Sequence, residues 1–494
     1  MEVLLFQPPL ETKKGFSFAA ISQGLIALGL YLQKHGVDVK IVHFNGSKTN
    51  LKKRVEEKIN EYRPRYVGIN LNWHVHCASA LKIAEKTKQV DDSIKTVFGG
   101  FTASVFDKEI FSYLENKSSL EKKKPFVDVI IRGDGERPFL DFVKSGKIPR
   151  ENTTFVSDNG KKIRHSLGYV QERIPDVGFG SAIDEFIDDW KSYVLRKGLR
   201  TAIMGKEETT SHNSWRGEFH LNIGKGCPNN CCYCGGGRDI QKRIFGRTKC
   251  LFRSVDRVNQ DIIWLAENGV KTVYLDFDPD PGRNFYHTLF SEMDKSNLNL
   301  IFSAWSGPLD DHLLGRMNRI FEGVEVVISP ESGSERQRRL LLRRGYGKPY
   351  YPNDKLVEFF KKLDSYGNKA MCYFISGLPW GTKEDFNKTL ILGAYLASKF
   401  PSLFLKEYDA RISGNLCAPP LYVEPGCPIS RAPDVFGMKV YRKTFEDYLK
   451  NCINDNSSPL LGAHNSRNVG EEEVIDSSTR FREVVEGCSS SSRI

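Results

Sequence analysis

Three cysteines form the most distinctive chemical feature of the sequence. Cys227, Cys231 and Cys234 lie within one short stretch that also contains Gly226 and Pro228. A loop this tight can turn three sulfurs toward one point. A four-iron cluster normally takes four thiolates, so three thiolates leave one iron open to an outside ligand. The spacing therefore predicts an iron–sulfur cluster with a reactive, open iron.

Two other uses of these cysteines have to be weighed. A structural zinc ion needs four ligands, and Cys232 is available as the fourth, but the adjacent Cys231 and Cys232 cannot readily both point at one tetrahedral centre. An electron-transfer ferredoxin needs a fourth cysteine at a suitable place, and no second cluster motif appears. We therefore interpret Cys232 as a small packed residue.

The composition is typical of a globular protein in a reducing compartment. The 494 residues are 40% hydrophobic and include 11 cysteines, too sparse for a disulfide scaffold. The sequence shows no signal peptide and no apolar stretch long enough to span a membrane. We expect a cytoplasmic protein with two principal domains, because one core seldom organises a chain of this length.

The formal net charge of +11 raises the question of a nucleic-acid partner. Basic residues cluster at 122–124 and at 336–344. We favour a solvated helix face with a buried leucine edge for the second run, and a basic lining for anionic groups is the intermediate interpretation. Nucleic acid is therefore not an expected partner.

The first part of the chain alternates short apolar strands with helical segments, which is typical of a doubly wound parallel sheet. An open sheet of this kind binds ligands at the carboxyl ends of its strands. We expect residues 1–148 to form this Rossmann-like domain. The predicted strands are Val3–Phe6, Val39–His43, Tyr66–Leu71, Thr96–Phe98 and Val127–Ile131.

The second part of the chain repeats the alternation after a stretch with weak periodicity. We expect a linker at residues 149–216 and a partial (β/α) barrel at residues 217–435, again with its chemistry at the carboxyl ends of the strands. Residues 436–494 are predicted to hold a helical region and a polar, loosely ordered tail. The predicted barrel strands are Phe219–Ile223, Thr272–Phe277, Leu300–Ala304, Val324–Ser329 and Met371–Ile375.

The stretch Lys225–Cys234 resembles the cluster motif of the radical S-adenosylmethionine superfamily, with Tyr233 in the aromatic position before the last cysteine. The resemblance implies that Cys227, Cys231 and Cys234 hold a [4Fe-4S] cluster whose open iron is chelated by S-adenosylmethionine. One electron then releases a 5′-deoxyadenosyl radical. An external electron donor such as flavodoxin or ferredoxin is implied as a partner.

Further matches to this superfamily follow in order along the second half. Tyr274–Pro279 looks like the second barrel strand, and Pro330–Glu335 and Gly377–Thr382 resemble the family's Glu-Ser-Gly and Gly-Leu-Pro-x-x-Thr turns. Asp276 or Asp278 is the implied partner of the methionyl ammonium group. The other implied contacts of S-adenosylmethionine are Tyr233, Ser303, Glu331, Ser332 and Gly377.

The first domain resembles the cobalamin-binding domain that precedes the radical domain in one large subgroup. The Asp-x-His-x-x-Gly motif that supplies a lower axial histidine is missing after the first strand. His74 and His76 follow the third strand, where a solvated loop is the favoured expectation and an approach to the corrin is the alternative. We predict cobalamin bound without its tail base and without a histidine ligand. The residues implied to bind cobalamin are Pro8, Asn70, Asn72, Gly99, Gly100, Thr102, Gly133, Gly135 and Glu136.

Two cofactor domains in one chain predict a cobalamin-dependent radical methyltransferase of class B. Such an enzyme transfers a methyl group from methylcobalamin to a carbon of a small-molecule or natural-product substrate by way of the deoxyadenosyl radical. A rearrangement or cyclisation with the same cofactors is the first alternative, because a fold does not fix a reaction. A non-catalytic metal-binding protein associated with RNA is the second.

Overall fold

A computed structural model describes most of the chain. Lys122–Lys124 and much of the predicted linker lie outside the described residues. The described residues are 1–9, 22–44, 50–121, 125–157, 159–174, 178, 180–187, 190–191, 202–204, 208–209, 218–280, 282–404, 415–453, 464–466 and 469–491.

Strands and helices alternate through both halves of the chain. The strands are β1 (Val3–Gln7), β2 (Val39–His43), β3 (Tyr66–Asn70), β4 (Lys95–Gly99), β5 (Val129–Ile131), β6 (Thr153–Val156), β7 (Lys162–Arg164), β8 (Ala202–Met204), β9 (Glu208–Thr209), β10 (Glu218–His220), β11 (Gly224–Lys225), β12 (Leu251–Phe252), β13 (Thr272–Leu275), β14 (Asn299–Ala304), β15 (Gly323–Glu331), β16 (Lys369–Phe374), β17 (Asn415–Cys417), β18 (Met438–Val440) and β19 (His464–Ser466).

The α-helices are Gln23–Lys34, Leu51–Tyr62, Cys77–Val90, Phe101–Val105, Asp107–Glu121, Glu136–Ser145, Gly180–Phe186, Arg238–Phe245, Val255–Glu267, Asn284–Glu292, Asp311–Ile320, Glu335–Arg343, Asn353–Ser365, Lys383–Lys399, Pro428–Arg431, Phe445–Ile453 and Glu471–Ser491. Short 3₁₀ helices occupy His74–His76, Pro401–Phe404 and Pro433–Phe436. None of the described helices is both long and apolar enough to span a membrane.

Seven strands of the described chain form the first sheet, in the order β2-β1-β3-β4-β5-β6-β7. Strands β1 to β5 are parallel, as predicted. Since β1 lies between β2 and β3, the winding direction reverses there, and ligands bind at such a point. The helices Gln23–Lys34 and Glu136–Ser145 contribute to the core on one face, and Leu51–Tyr62 and Cys77–Val90 to the core on the other.

The prediction of a linker from residue 149 is wrong at its start. Strands β6 and β7 continue the first sheet in antiparallel orientation, with Phe155 opposite Val129. Thr153 and Thr154 are fully buried in this extension. Their polar side chains weaken the apolar pattern by which a strand is recognised in a sequence. They can nevertheless be buried, because each hydroxyl donates a hydrogen bond inside the fold.

Six described strands form the second sheet in the consecutive order β10-β13-β14-β15-β16-β17, and every pair is parallel. Consecutive parallel strands joined by helices are the arrangement of an open (β/α) barrel. Strand β14 is buried along its whole length and β15 is buried after its first residue. The predicted α/β fold class, with two successive parallel-sheet domains, is confirmed.

Residues 471–491 form a helix, so the prediction of a loosely ordered tail is wrong for this segment, whereas residues 454–463, 467–468 and 492–494 lie outside the described residues. Helix Glu471–Ser491 packs on Lys383–Lys399, and its Phe481 ring is fully buried 5.7 Å from Phe374. A narrow apolar stripe, Val474, Phe481 and Val485, gives the helix its buried edge. Because many polar residues separate these positions, the apolar stripe was not recognised from the sequence.

The basic segment Glu335–Arg343 is a helix, as expected. Leu341 forms its buried edge, and Arg336 and Arg339 are exposed. Arg338 departs from the expectation, because it is buried and donates to the Tyr351 carbonyl oxygen at 2.9 Å.

Helix Phe445–Ile453 returns to the first domain and completes one of its two cores. The fully buried Phe445 ring lies 6.2 Å from Phe106 and 5.9 Å from Tyr113. Its backbone N–H donates to the Glu109 carboxylate at 2.7 Å. The first domain therefore depends on a segment more than 300 positions further along the chain.

We predict that Phe445→Ala destabilises the first domain by about 3–5 kcal/mol, because it leaves a cavity between packed rings. Hydrogen–deuterium exchange of residues 101–121 should rise and the thermal midpoint should fall. Val435→Ala is the matched control, since Val435 is 60% exposed in the same region and its truncation should change stability by less than about 0.5 kcal/mol. Equal exchange in both variants would contradict the packing role.

Candidate functional site

The cysteine loop is closed at its base by an antiparallel strand pair. Strand β11 pairs with β12, so the intervening residues leave the second domain and return to it as one loop. Gly226 has φ +100°, and a Cβ there would lie 3.1 Å from the Cα of Cys250. Only glycine meets both demands without strain. The chain is thereby turned sharply just before Cys227.

Cys227, Cys231 and Cys234 lie partly or fully buried on this loop. Burial raises the pKa of each thiol, so the thiolates need a bound cation to be stable. Three thiolates leave the four-ligand shell of a structural zinc ion incomplete, whereas they can hold a four-iron cluster that keeps one iron open.

Cys232 is confirmed as a packed residue. Its side chain is fully buried in an apolar cluster that also contains Leu378 and Cys427. Its backbone N–H donates to the Tyr346 carbonyl oxygen at 3.3 Å. Apolar packing therefore accounts for the Cys232 side chain.

Two of the predicted S-adenosylmethionine contacts meet beside the cysteine loop. The Tyr233 hydroxyl donates to Glu331 Oε1, and Lys348 Nζ lies 3.1 Å from the same oxygen. Burial would lower the pKa of Lys348, but Glu331 raises it, so the lysine is charged. Glu331 has φ +69°, a strained conformation of the kind that collects at functional sites. Lys348 carries no sequence signal and was missed.

Ser332 and Gly377 do not take part in the contact between Tyr233, Glu331 and Lys348. The Ser332 hydroxyl lies 3.2 Å from that of Thr389. Both Ser332 and Gly377 line a separate cavity of about 550 Å³ beside helix Glu471–Ser491. A Cβ on Gly377 would lie 2.9 Å from Val474 of that helix, so this glycine serves packing.

The two candidate carboxylates after β13 have different surroundings. Asp276 is exposed at the barrel mouth. Asp278 is buried, with its Oδ2 3.2 Å from Arg283 Nη2 and 2.8 Å from the Ser306 backbone N–H. The structure therefore favours Asp276 over Asp278 as a ligand contact. Ser303 is fully buried, 3.0 Å from the Tyr274 hydroxyl.

A cavity of about 700 Å³ lies between the carboxyl ends of the two sheets. The first domain supplies loop residues after β1, β3, β4 and β5, and the second supplies residues at the ends of β10, β13 and β14. Most residues predicted to bind cobalamin line it, namely Asn70, Asn72, Gly99, Gly100, Gly133, Gly135 and Glu136. On the opposite wall lie His220, Asn222, Lys225, Arg247, Tyr274, Asp276 and Trp305.

Two predicted contacts, Pro8 and Thr102, do not line this cavity. Both are buried, and the Thr102 hydroxyl donates to the Asn72 carbonyl oxygen at 2.9 Å. Thr102 therefore positions the Asn72 loop instead of touching a ligand. Gly100 packs closely against the same loop. Its φ is +105°, and a Cβ there would lie 2.7 Å from the Asn72 nitrogen.

His74 and His76 are buried, so the expectation of a solvated loop is wrong. The His74 ring lies within 3.1 Å of the Tyr422 hydroxyl. His76 lines the cavity, and burial lowers its pKa to about 4, which leaves the imidazole neutral. Both ring nitrogens of His76 are covered by protein and lack a hydrogen-bond partner among the described residues.

Three further residues at the site were missed in the sequence. Lys225 directly precedes the cysteine motif, which was the available signal, whereas Arg247 had none. Both contact the loop that holds Asp134 and Glu136. Glu424 accepts a hydrogen bond from the Gly235 backbone N–H beside the last cysteine, and burial raises the pKa of this carboxyl.

We predict that Cys227→Ala, Cys231→Ala and Cys234→Ala each abolish cluster assembly, whereas the adjacent Cys232→Ala keeps about four iron atoms and four sulfides per chain. Anaerobic reconstitution followed by iron and sulfide analysis measures this. The comparison is matched because all four variants lose one sulfur from the same loop. Loss of iron in Cys232→Ala, with retention in Cys231→Ala, would reverse the assignment.

Comparison with known proteins agrees with both halves of the site. The B12 binding domain model matches residues 18–143, and the radical SAM superfamily model matches residues 221–392. An uncharacterised methyltransferase of Pyrococcus horikoshii is 22% identical over 448 residues, which cover 84% of each chain. An uncharacterised protein of Methanocaldococcus jannaschii is 27% identical over 192 residues, 38% of this chain and only 39% of that protein.

A solved structure with the same fold is the radical S-adenosylmethionine methyltransferase TsrM from Kitasatospora setae. It matches with a TM-score of 0.64 and 15% identity, over 98% of this chain and 89% of that chain. Structures of TsrM contain cobalamin and a [4Fe-4S] cluster, or tryptophan and an S-adenosylmethionine analogue. With a B12 binding domain followed by a radical SAM domain, the chain belongs to the cobalamin-dependent radical S-adenosylmethionine family, whose cofactors are cobalamin, S-adenosylmethionine and a [4Fe-4S] cluster.

Proposed function

We propose that the chain is a class B methyltransferase that transfers a methyl group to a carbon of a small-molecule substrate. The cavity between the two sheets carries this proposal. The loops predicted to bind cobalamin form its first wall, and the mouth of the radical domain forms its second wall. A substrate between these walls is within reach of both cofactors at once, which methyl transfer to a substrate radical requires.

The first wall suits cobalamin with its tail base displaced. Leu5 and Val97 from the middle of β1 and β4, and Ile131 at the end of β5, also line the cavity, so an apolar arm runs along the sheet. Gly68 helps to form this arm, since a Cβ there would lie 2.7 Å from Leu5 and 3.1 Å from Phe139. The covered nitrogens of His76 support binding without a histidine ligand.

When bound, the cluster and S-adenosylmethionine supply a 5′-deoxyadenosyl radical and methylcobalamin supplies the methyl group. The residues of the chain position these groups and exclude water. Cys227, Cys231 and Cys234 hold the cluster, and the Asp276 carboxylate binds the methionyl ammonium. Trp305 lines the barrel mouth and donates from Nε1 to the Asp276 carbonyl oxygen at 3.1 Å, which fixes that loop.

The proposed cellular compartment and electron donor follow from the chemistry of the same cofactors. All 11 cysteines lie in the described residues and none of them forms a disulfide bond, which supports a reducing compartment such as the cytoplasm. An external donor such as flavodoxin or ferredoxin supplies the electron. The names of the Pyrococcus relative and of TsrM, both methyltransferases, favour methyl transfer over rearrangement or cyclisation.

The deciding experiment follows a trideuterated methyl group and needs no substrate. Reconstituted protein is incubated anaerobically with hydroxocobalamin, methyl-d3 S-adenosylmethionine and titanium(III) citrate, and the products are analysed by mass spectrometry. We expect trideuterated methylcobalamin with S-adenosylhomocysteine, together with 5′-deoxyadenosine. Production of 5′-deoxyadenosine without labelled methylcobalamin would indicate a rearrangement enzyme instead. Cys227→Ala should form no 5′-deoxyadenosine, and Cys232→Ala should form it as the unmodified protein does.

We predict that Asp276→Asn weakens S-adenosylmethionine binding about tenfold or more, because a charge-assisted contact with the ammonium contributes about 1.5–3 kcal/mol. Equilibrium dialysis of the reconstituted protein measures the dissociation constant. Asp280→Asn is the control, since Asp280 lies in the same loop and accepts from the Gly282 backbone N–H at 2.9 Å outside the cavity lining. Equal affinities in both variants would rule out Asp276 as the partner.

A further inference from the structure

Three side chains of the kinds that bind metal ions meet at the surface of the second domain. His287 lies in helix Asn284–Glu292. His312 lies in the first turn of helix Asp311–Ile320, and Asp310 is the N-cap of that helix. One nitrogen of each histidine and one Asp310 carboxylate oxygen all lie within 4.8 Å of one another. These three residues form the His–His–Asp cluster.

His287 lies between the other two members of the cluster. Its Nε2 is 3.1 Å from Asp310 Oδ2, and its Nδ1 is 3.4 Å from His312 Nδ1. Ligand atoms bound to one tetrahedral zinc ion at about 2.0–2.1 Å lie about 3.4 Å apart. The three side chains therefore need only small rotations to surround a single ion.

Hydrogen bonding alone explains this convergence poorly. Two ring nitrogens 3.4 Å apart are a long hydrogen bond, since N–H donors usually lie about 2.7–3.2 Å from their acceptors. Exposed ion pairs such as that of His287 with Asp310 contribute at most about 1 kcal/mol. Water can satisfy exposed imidazoles and carboxylates equally well, so a shared metal ion is the better reason for three of them to face one point.

The cluster is open to a cation from solvent. The side chains of His287 and Asp310 are 31% and 47% exposed, and His312 is exposed as well. Two imidazoles and one carboxylate are ligands that zinc accepts, and three protein ligands leave one position for water. Magnesium and calcium prefer oxygen ligands alone. Iron(II), which cluster reconstitution supplies, binds nitrogen and oxygen ligands more weakly than zinc.

The cluster continues a series of contacts between the segments that follow β13 and β14. At the cavity, Trp305 Nε1 donates to the Asp276 carbonyl oxygen at 3.1 Å. Further along both segments, Arg283 Nη2 donates to the Gly307 carbonyl oxygen at 2.6 Å. The His–His–Asp cluster comes next along both segments. A metal ion in it would hold together the two segments that carry Asp276 and Trp305.

We propose that the His–His–Asp cluster is a zinc site, with one nitrogen from each of His287 and His312, one Asp310 oxygen and a water molecule as ligands. The ion clasps helix Asn284–Glu292 to helix Asp311–Ile320 behind the barrel mouth. The site uses no residue of the cysteine loop, and it does not rest on the proposed function.

The test measures zinc in the reconstituted full chain, by anaerobic equilibrium dialysis against buffered zinc and elemental analysis. We expect about one zinc ion per chain in addition to the cluster iron. His287→Gln and His312→Gln should each weaken zinc binding about tenfold or more, because each loses a ligand, with the iron content unchanged. His35→Gln is the matched control, since His35 is also exposed and its Nδ1 lies 2.7 Å from the Tyr31 carbonyl oxygen, and it should bind zinc as the unmodified protein does.

X-ray absorption at the zinc edge identifies the ligands in the unmodified protein. We expect nitrogen and oxygen neighbours at about 2.0–2.2 Å and no sulfur at about 2.3 Å. Sulfur neighbours would place the zinc at the cysteine loop and would overturn the inference. Equal zinc affinities in the unmodified protein and both histidine variants would overturn it too. In either case the proposed function would still stand or fall by the labelled methylcobalamin.

Hydrogen–deuterium exchange tests the clasp itself. Because a bound ion stabilises the state that binds it, zinc should slow exchange in residues 284–292 and 305–313 of the unmodified protein. The same zinc concentration should leave exchange in His312→Gln unchanged. Zinc binding without slower exchange in the unmodified protein would overturn the clasping role.

Discussion

Buried charges of opposite sign hold the two domains together at the cavity. Lys225 and Arg247 reach across to Asp134 and Glu136. Arg247, Asp134 and Glu136 are buried and the Lys225 side chain is 24% exposed, so the loss of one partner would leave a buried charge uncompensated. The relative placement of the cavity walls follows from this constraint. A hydrophobic interface of similar area would tolerate sliding, because apolar contacts are not directional, whereas charged hydrogen bonds fix both distance and direction.

The rest of the site uses the common geometry of parallel sheets. Both sheets gather their loops at the carboxyl ends of their strands, and the ion pairs of Lys225 and Arg247 with Asp134 and Glu136 join loops at these two ends. Glycine-bearing loops form the first wall of the cavity, and Gly100 packs so closely on one of them that a Cβ there would lie 2.7 Å from the Asn72 nitrogen. The opposite wall carries the polar and aromatic residues His220, Tyr274 and Trp305. The first domain thus supplies glycine-bearing loops to the cavity, and the second supplies polar and aromatic side chains.

The sequence alone was sufficient to predict the features that depend on local residue patterns. Apolar runs located the parallel strands, and the spacing of Cys227, Cys231 and Cys234 identified the cluster loop, because both depend on neighbours within a few positions. Features that depend on distant partners were missed. Arg247 meets Asp134 across 113 positions, and the choice between Asp276 and Asp278 depends on Arg283. Strands β6 and β7 and helix Glu471–Ser491 were missed because polar residues outnumber the few buried ones that position them.

Helix Phe445–Ile453 gives this arrangement a consequence for synthesis on the ribosome. Domains generally fold as they emerge, N-terminal first, but one core of the first domain lacks Phe445, Tyr448 and Leu449 until more than 300 residues beyond Glu109 have been made. Without this helix, the rings of Phe106 and Tyr113 lose the Phe445 ring that packs against them. Chaperones that shield apolar surface are expected to stay bound until the helix has emerged, and cofactor loading is expected to follow its docking.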